Sequence, residues 1–306
     1  MKNWHLYFLI IMVMVIWGFN VTAIKIIVSH FEPVTITALR IFIAFLTLSP
    51  MLFYRRELKT LSKKDVLFIG LVAVFGVLGH HYFVSVGLSM TSAANGGLIL
   101  GSVPIVTTVA AVIFLGDRLT FYRVLGLVFG FSGVALIILM QPGASFSFSM
   151  GDIFIFLAVL TQAASFILIN KVSNRAGTQI VTGFSLMMGS VMLFGLSLVI
   201  EPTGLSSLKT GTLTAWLVFF ASGMIATAFG HLVYNHAIQR IGAGQASLFL
   251  NLSPFFSLVG ASLFLGEKIY AFQWAGFIFI VIGVVLGTGF IEHRQHVKMV
   301  SHRPED

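Results

Sequence analysis

The sequence contains no cysteine and few charged residues. Of its 306 residues, 9% are Asp, Glu, Lys or Arg, against about 25% in soluble domains. The absence of cysteine excludes disulfides, thiolate metal sites and cysteine nucleophiles. So little polar surface cannot cover a water-facing globule. The composition therefore excludes a soluble enzyme and a nucleic-acid-binding protein, in spite of the net charge of +8.

The sequence instead contains long runs of hydrophobic residues. Hydrophobic residues make up 58% of the chain, and they fall into ten runs of about 20 residues, the length that crosses a bilayer. The sequence thus predicts an all-α integral membrane protein with ten transmembrane helices. The predicted spans are Leu6–Ser29, Val34–Tyr54, Val66–Ser89, Ala93–Leu115, Tyr122–Met140, Gly151–Val172, Ile180–Ile200, Leu213–Ala237, Ala243–Leu265 and Phe272–Ile291.

The distribution of Lys and Arg predicts the orientation of these spans. With the N-terminus in the cytoplasm, fourteen of the 18 basic residues fall in cytoplasmic connectors or tails, and Lys209 and Lys268 fall outside. This excess is the positive-inside pattern. It predicts that both termini lie in the cytoplasm. For the protein as a whole we predict a bacterial-type plasma membrane as its location.

The two halves of the chain resemble each other at an offset of 150 residues. Residues 81–136 align without a gap on 231–286, and the alignment pairs Pro104 with Pro254 and Gly116 with Gly266. Five spans per half give the halves opposite orientations, so the repeats are inverted. We predict repeats at 1–140 and 151–291 and a cytoplasmic polar tail at 292–306.

Short motifs in the same order in both halves resemble the drug/metabolite transporter superfamily, in its ten-span EamA-like branch. The motifs are Trp17-Gly18-Phe19-Asn20 with Ile24-Lys25, Ala38-Leu39-Arg40, Pro104, Leu115-Gly116-Asp117-Arg118, Pro254 and Leu265-Gly266-Glu267-Lys268. The resemblance covers nearly the whole chain. It implies a carrier for small metabolites or drugs that does not use ATP.

Arg40 is the basic residue that lies deepest in a predicted span, and such a residue is a functional candidate. Two interpretations stay open: the guanidinium bonds to helix ends, or it lines a substrate cavity. In the second case it favours substrates that carry a carboxylate or another anionic group. Lys25, near the end of its span, is better explained by snorkelling to the interface. No Asp or Glu lies in the middle of a span, which disfavours cationic substrates exchanged for protons.

Two histidine clusters occupy related positions in the repeats. The first is His80, His81 and Tyr82, and the second is His231, Tyr234, Asn235 and His236. They are expected near the two mouths of the carrier, where they either carry protons or hydrogen-bond neighbouring helices. Their spacing does not match the i, i+4 pair of a helical zinc site, so no metal or other cofactor is predicted.

A central substrate site is predicted at the span midpoints. Its polar and aromatic members, with the residues above, form the predicted substrate-binding set: Trp17, Asn20, Arg40, His81, Ser102, Thr107, Gln162, His231 and Asn251. Pro104 and Pro254 are expected to kink their helices and to serve in gating, because proline removes a helical hydrogen bond.

These features predict a secondary transporter, more specifically an exporter, that moves an amino-acid-like or carboxylate-bearing molecule by alternating access. Its partners would be that substrate, the lipid bilayer and, for coupling, protons or a counter-substrate. The alternatives are an intramembrane histidine-metal enzyme and a channel or scaffold.

Asp117 and Glu267 are expected to cap the helices that follow them and to pair with Arg118 and Lys268. Glycine-rich faces on spans 5 and 10 are expected to pack within the chain, with a homodimer seam as the alternative.

Overall fold

A computed structural model of the chain describes residues 4–54, 61–91, 93–140, 148–266 and 268–288. Across these ranges the regular structure is helical. Nine helices there are long and apolar enough to cross a membrane, and a tenth, Ala271–Gly287, is apolar but shorter. The prediction of an all-α, ten-helix membrane protein is confirmed. The end of the tenth predicted span and the tail at 292–306 lie outside the described residues.

The helices are labelled α1 to α10 in chain order, and several consist of consecutive segments. In the first half they are α1 (Trp4–Val28), α2 (Pro33–Tyr54), α3 (Lys63–Val72, Ala73–Gly79 and His80–Met90), α4 (Ala93–Leu100 and Val103–Leu115) and α5 (Phe121–Leu139). In the second half they are α6 (Met150–Ala176), α7 (Thr178–Ile200), α8 (Leu213–Ala221, Ser222–Phe229 and Gly230–Ile241), α9 (Ala243–Leu248, Phe249–Leu252 and Ser253–Leu265) and α10 (Ala271–Gly287). A short turn, Gly204–Ser207 and Leu208–Thr210, joins α7 to α8.

Helices α4 and α9 are interrupted where the sequence predicts kinks. Pro104 and Pro254 both lie in the first turn of a new helical segment, where a missing N–H leaves no helical hydrogen bond unmade. The chain turns before Val103 in α4 and tightens into a 3₁₀ segment before Ser253 in α9. Prolines at equivalent positions therefore break both helices near their middles.

Helices α3 and α8 each contain a π-helical turn, which the sequence did not predict. The turns span Ala73–Gly79 and Ser222–Phe229, so they correspond at the offset of about 150 residues. A π turn widens the helix locally and changes which backbone carbonyls are bonded, and such turns are frequent at functional sites. In both repeats the helix with the π turn, α3 or α8, also contains the histidines.

The two repeats do not pack as separate units, because helices of each repeat pack against helices of the other. Helix α3 of the first repeat packs on α6 and α7 of the second, and α8 of the second packs on α1 and α2 of the first. Helices α5 and α10 pack along each other, where a Cβ on Gly133 would lie 2.5 Å from the carbonyl oxygen of Gly276. The predicted glycine faces on these two helices are thus in contact within one chain.

The acidic residue after α4 has a different role from the one expected. Gly116 ends α4 in the left-handed conformation, with φ of 73°, which glycine adopts without steric cost. The carboxylate of Asp117 then pairs with Arg123 at 3.5 Å, not with Arg118, and Thr120 caps α5. The expectation for Asp117 was wrong because Arg123, one turn into α5, reaches back over the loop. Glu267 lies outside the described residues.

Candidate functional site

Arg40 lies buried inside the bundle, where α2 meets the π turn of α8. Its side chain is 6% exposed, and its Nη1 donates a hydrogen bond to the hydroxyl of Thr227 at 2.7 Å. Within the described residues the ion pairs are Arg123–Asp117 and Arg175–Asp65, and neither includes Arg40. The guanidinium is therefore held by one neutral hydroxyl, without a carboxylate partner in the part of the chain described.

The π turn supplies the polar groups that receive Arg40. The hydroxyl of Thr227, which accepts from Arg40, donates in turn to the backbone carbonyl of Ser222 at 3.0 Å, five residues earlier. The Ser222 hydroxyl donates to the side-chain oxygen of Asn20 at 2.6 Å. A continuous set of hydrogen bonds thus runs from α2 through α8 to α1, and it uses the wider spacing of the π turn.

Trp17 closes this region from the α1 side. Its indole N–H donates to the carbonyl of Ala226 in the π turn at 2.8 Å. Its ring lies 5.3 Å from the ring of His231 and 5.2 Å from that of Tyr234, measured between centroids. Gly230 permits this approach, because a Cβ there would lie 2.5 Å from the indole nitrogen. Trp17 is the aromatic centre of the site.

The histidines donate to backbone carbonyls through the same ring nitrogen. Nδ1 of His231 lies 2.9 Å from the carbonyl oxygen of Thr227, and Nδ1 of His80 lies 3.1 Å from that of Ala158. A carbonyl only accepts, so in the neutral rings Nδ1 carries the hydrogen and Nε2 is the basic nitrogen. His231 is half-buried.

The two histidine clusters lie near a common region of the bundle. The ring of His81 lies 5.2 Å from that of His80, and His81 lies within electrostatic range of Arg40 and His231. His231 is likewise within range of Arg40 and His80, so α3 and α8, which belong to different repeats, bring these side chains together. Their place near the two mouths of a carrier stays a prediction.

Tyr234, which the sequence places beside His231 but which was not in the predicted substrate-binding set, is a member of this site. Its side chain is 1% exposed and packs against the rings of Trp17 and Phe166. The hydroxyl has no hydrogen-bond partner among the described residues. A buried hydroxyl without a partner is costly, so this one is a candidate contact for a ligand.

We use one name, the Arg40 cluster, for the groups brought together here. The Arg40 cluster consists of Trp17, Asn20, Arg40, His81, Ser222, Thr227, His231 and Tyr234. Five of these eight were predicted from the sequence. Ser222 and Thr227 were missed because their five-residue spacing has meaning only in a π turn.

The other predicted residues lie apart from the Arg40 cluster in their contacts. The Ser102 hydroxyl bonds the carbonyl of Ile99 at the break in α4, and Thr107 is fully buried with an unpartnered hydroxyl. Asn251 is buried beside Gly130 of α5. Gln162 is half-buried on α6. Within the described ranges none of them shares a hydrogen bond with Arg40, Trp17 or the histidines, and their place in the substrate site stays a prediction.

No metal-binding arrangement is found in the described ranges, where no three His, Asp or Glu side chains lie together as ligands. A separate crevice of about 490 Å³ lies between α4 and α6 and includes Asn95, Asp152 and Phe156. Among the described residues, the lining of this crevice contains none of those predicted to bind substrate.

The last segment of α8 is fastened to α6 and α7 at one end of the molecule. This end carries Lys171, Arg175 and Arg240, and we call it the basic end. Gln239 donates to the carbonyl of Ser173 at 2.8 Å and accepts from the hydroxyl of Thr178 at 2.6 Å. It thereby joins the ends of three helices.

Two further amide side chains extend this connection. Asn235 donates to the hydroxyl of Thr182 at 2.9 Å, and Asn170 donates to the carbonyl of Ile238 at 2.9 Å. We call the five polar side chains the α8 seal; they are Asn170, Thr178, Thr182, Asn235 and Gln239. Next to the α8 seal, the start of α9 packs on α4, where Gly244 lies against Thr108.

The corresponding segment of α3, at the opposite end, differs in exposure. Ile238 on α8 is completely buried, whereas its repeat counterpart Leu88 on α3 is 44% exposed, and Met90 is 50% exposed. This end of α3 is nevertheless fastened to α6, because Thr91 donates to Asp152 at 2.5 Å and Gly151 lies against the backbone of Met90.

The comparisons with known proteins agree with this architecture. The model of the EamA-like transporter family matches residues 4–139 and again 149–288. The chain is 30% identical over 299 residues to an uncharacterized transporter, YyaM, of Bacillus subtilis, and the match covers 95% of this chain and 96% of that one.

More distant similarity extends to a plant protein and to a solved structure. A WAT1-related chloroplastic protein of Arabidopsis thaliana, At3g02690, is 23% identical over 275 residues, which is 88% of this chain and 66% of that one. One crystal structure superposes with a TM-score of 0.79 at 17% identity, covering 93% of this chain and 97% of that chain. At this identity the likeness shows the fold.

Proposed function

The chain belongs to the EamA-like transporter family, and we propose that it is a secondary transporter that exports a small, carboxylate-bearing metabolite. It is a multi-pass membrane protein, and the plasma membrane is its proposed location. Export is the direction that the resemblance to drug and metabolite carriers favours. The sequence has no P-loop, so a gradient of substrate or protons supplies the energy.

The observation that carries the substrate class is the state of Arg40. A guanidinium presents five N–H donors, and this one uses a donor on Thr227 without a carboxylate nearby in the described chain. A buried, unpaired charge in a membrane protein is costly unless a counter-ion joins it. A carboxylate fits the planar guanidinium fork with two parallel hydrogen bonds. The substrate's own carboxylate is thus the proposed counter-ion.

The rest of the Arg40 cluster suits the non-ionic part of such a molecule. Trp17 and Tyr234 offer apolar ring surface, and the Tyr234 hydroxyl offers a donor that no group in the described ranges uses. Small-molecule sites combine mostly apolar walls with a few converging polar groups. The cluster also draws on α1, α2, α3 and α8, which come from both repeats, as expected of a site between inverted repeats.

Alternating access is the proposed mode of movement, and the related positions of α3 and α8 in the two repeats support it. The α8 seal fastens α8 to α6 and α7 at the basic end, while Thr91 and Asp152 fasten α3 to α6 at the other end. In a carrier with inverted repeats, release of one fastening at a time would open one side at a time. A channel would need no such alternation.

Counterflow in proteoliposomes tests the proposal. Vesicles loaded in turn with each of a panel of amino acids and small carboxylates receive the same compound in radiolabelled form outside. We expect transient accumulation of label for a carboxylate only when unlabelled substrate is inside, because exchange requires a carrier. Equal flux with empty vesicles would indicate a channel and contradict the proposal.

Two variants of Arg40 test the counter-ion role. Arg40→Gln is expected to abolish carboxylate counterflow, while Arg40→Lys keeps a positive charge and retains part of it. Both must reach the membrane at the level of the parent chain. A parent protein that prefers neutral or cationic compounds, or an Arg40→Gln variant that exchanges carboxylates normally, would rule out the anion role.

A further inference from the structure

We propose that the substrate anion at Arg40 and a proton at His231 bind together, so that the transported load is an anion plus a proton. The inference rests on the proposed function and adds the coupling ion to it. The proton passes from water to Nε2 of His231 on the loading side and returns to water on the other side together with the anion. No covalent bond is made or broken besides this transfer.

Arg40 and His231 are linked because both hydrogen-bond the same residue, Thr227. Arg40 donates to the Thr227 hydroxyl at 2.7 Å, and Nδ1 of His231 lies 2.9 Å from the Thr227 carbonyl oxygen. A charge on the imidazole would therefore lie close to the guanidinium, in a region of low dielectric where charges interact strongly. The two sites cannot be electrically independent.

The remaining groups around His231 do not offset this repulsion. Helix α3 contributes His80 and His81, and α8 itself contributes Tyr234. Helix α1 presents Trp17, which does not titrate, and α2 presents Arg40. All the titratable groups that face His231 in the described chain are thus neutral or positive. In the empty carrier, Arg40 opposes a second positive charge.

A bound carboxylate removes that opposition, because it cancels the charge of Arg40. His231 can then take up a proton at Nε2, the ring nitrogen that the hydrogen bond to Thr227 leaves basic. Linkage is reciprocal, so a proton on His231 must strengthen anion binding by the same factor. For a monocarboxylate the load is neutral, and transport responds to a pH gradient but not to membrane potential. Export then follows the outward gradient of the substrate, which must exceed any inward proton gradient.

The experiment uses proteoliposomes with the pH dye pyranine inside and the membrane potential clamped at zero. The probes are radiolabelled L-glutamate and N-acetyl-L-alanine, both monoanions at neutral pH. We expect label to enter with about one proton per anion, seen as acidification of the lumen. An inward proton gradient should raise the initial rate severalfold, and an imposed potassium diffusion potential should leave it unchanged.

The variant His231→Asn keeps an N–H donor near the position of Nδ1 but does not titrate. It should bind and exchange labelled anion more weakly, and the number of protons taken up per anion should fall at least fivefold. His30→Asn is the matched control, because Nδ1 of His30 also lies 3.1 Å from the carbonyl four residues earlier, outside the Arg40 cluster. This control should acidify normally.

The outcomes separate the two proposals. Uptake of anion by the parent protein without acidification, or normal acidification by His231→Asn, overturns the proton coupling and leaves the proposed function intact. Uptake of neither probe overturns the coupling together with the carboxylate substrate class. The gradient measurements on the parent protein decide the matter even if His231→Asn fails to accumulate.

Discussion

Replacing Gln239 by Leu should shift the carrier toward states that are open at the basic end. Gln239 forms two of the hydrogen bonds that hold α8, to Ser173 and Thr178. Hydrogen bonds between membrane helices contribute about 0.6 kcal/mol each on average. Leu has a similar volume but no polar atom, so the substitution should cost the closed state about 1.2 kcal/mol. At about 1.4 kcal/mol per tenfold, the ratio of open to closed molecules should rise about sevenfold.

The absence of native cysteine provides the assay. Thr108→Cys places a single thiol at a position that is 2% exposed and lies beneath Gly244 at the start of α9. Helices α8 and α9 meet at Gly242, so release of α8 also uncovers this thiol. With opening fast relative to reaction, the labelling rate of a membrane-impermeant maleimide follows the open fraction. It should rise about sevenfold in the Gln239→Leu background.

Asn174→Leu is the control for this measurement. Asn174 lies at the same end, but its amide donates to the carbonyl of Asn170 within α6 and has no hydrogen bond to another helix that the structure describes. Labelling in this background should remain within twofold of the parent rate. If Gln239→Leu also stayed within twofold, or if both variants rose together, the α8 seal would have no part in closing the basic end.

Three further substitutions have expected outcomes. Gly230→Ala should push Trp17 from its hydrogen bond to Ala226, lower stability by about 1 kcal/mol and raise the KM of counterflow severalfold. Tyr234→Phe should raise stability by about 1 kcal/mol, since it removes an unpaired buried hydroxyl, yet raise KM. An unchanged KM would show that the hydroxyl does not contact substrate. Gly133→Ala should destabilise the chain by about 1–3 kcal/mol through overpacking against α10, measured by thermal unfolding, with Gly195→Ala, which meets open space, as the neutral control.

The sequence by itself determined the architecture. Ten apolar runs of bilayer length are a local property, because a helix in lipid must satisfy its own backbone, and the helices begin and end within a few residues of the predicted limits. The prolines at 104 and 254 acted locally as well, since each removes a backbone donor. The family followed from short motifs in a fixed order. Arg40 was identified as the outstanding charge because hydropathy alone marks a guanidinium in an apolar run.

Only the tertiary structure decided what surrounds Arg40. Its hydrogen bond to Thr227 spans 187 residues, and that of Trp17 to Ala226 spans 209. The partners come from different repeats, because α3 and α8 each pack on helices of the other half. The π turn that aligns Ser222 with Thr227 forms where tertiary contacts offset its poorer backbone geometry. The same contacts bury Ile238 while its counterpart Leu88 stays exposed, a difference that two similar repeats do not specify, since it depends on which helices meet and not on local sequence.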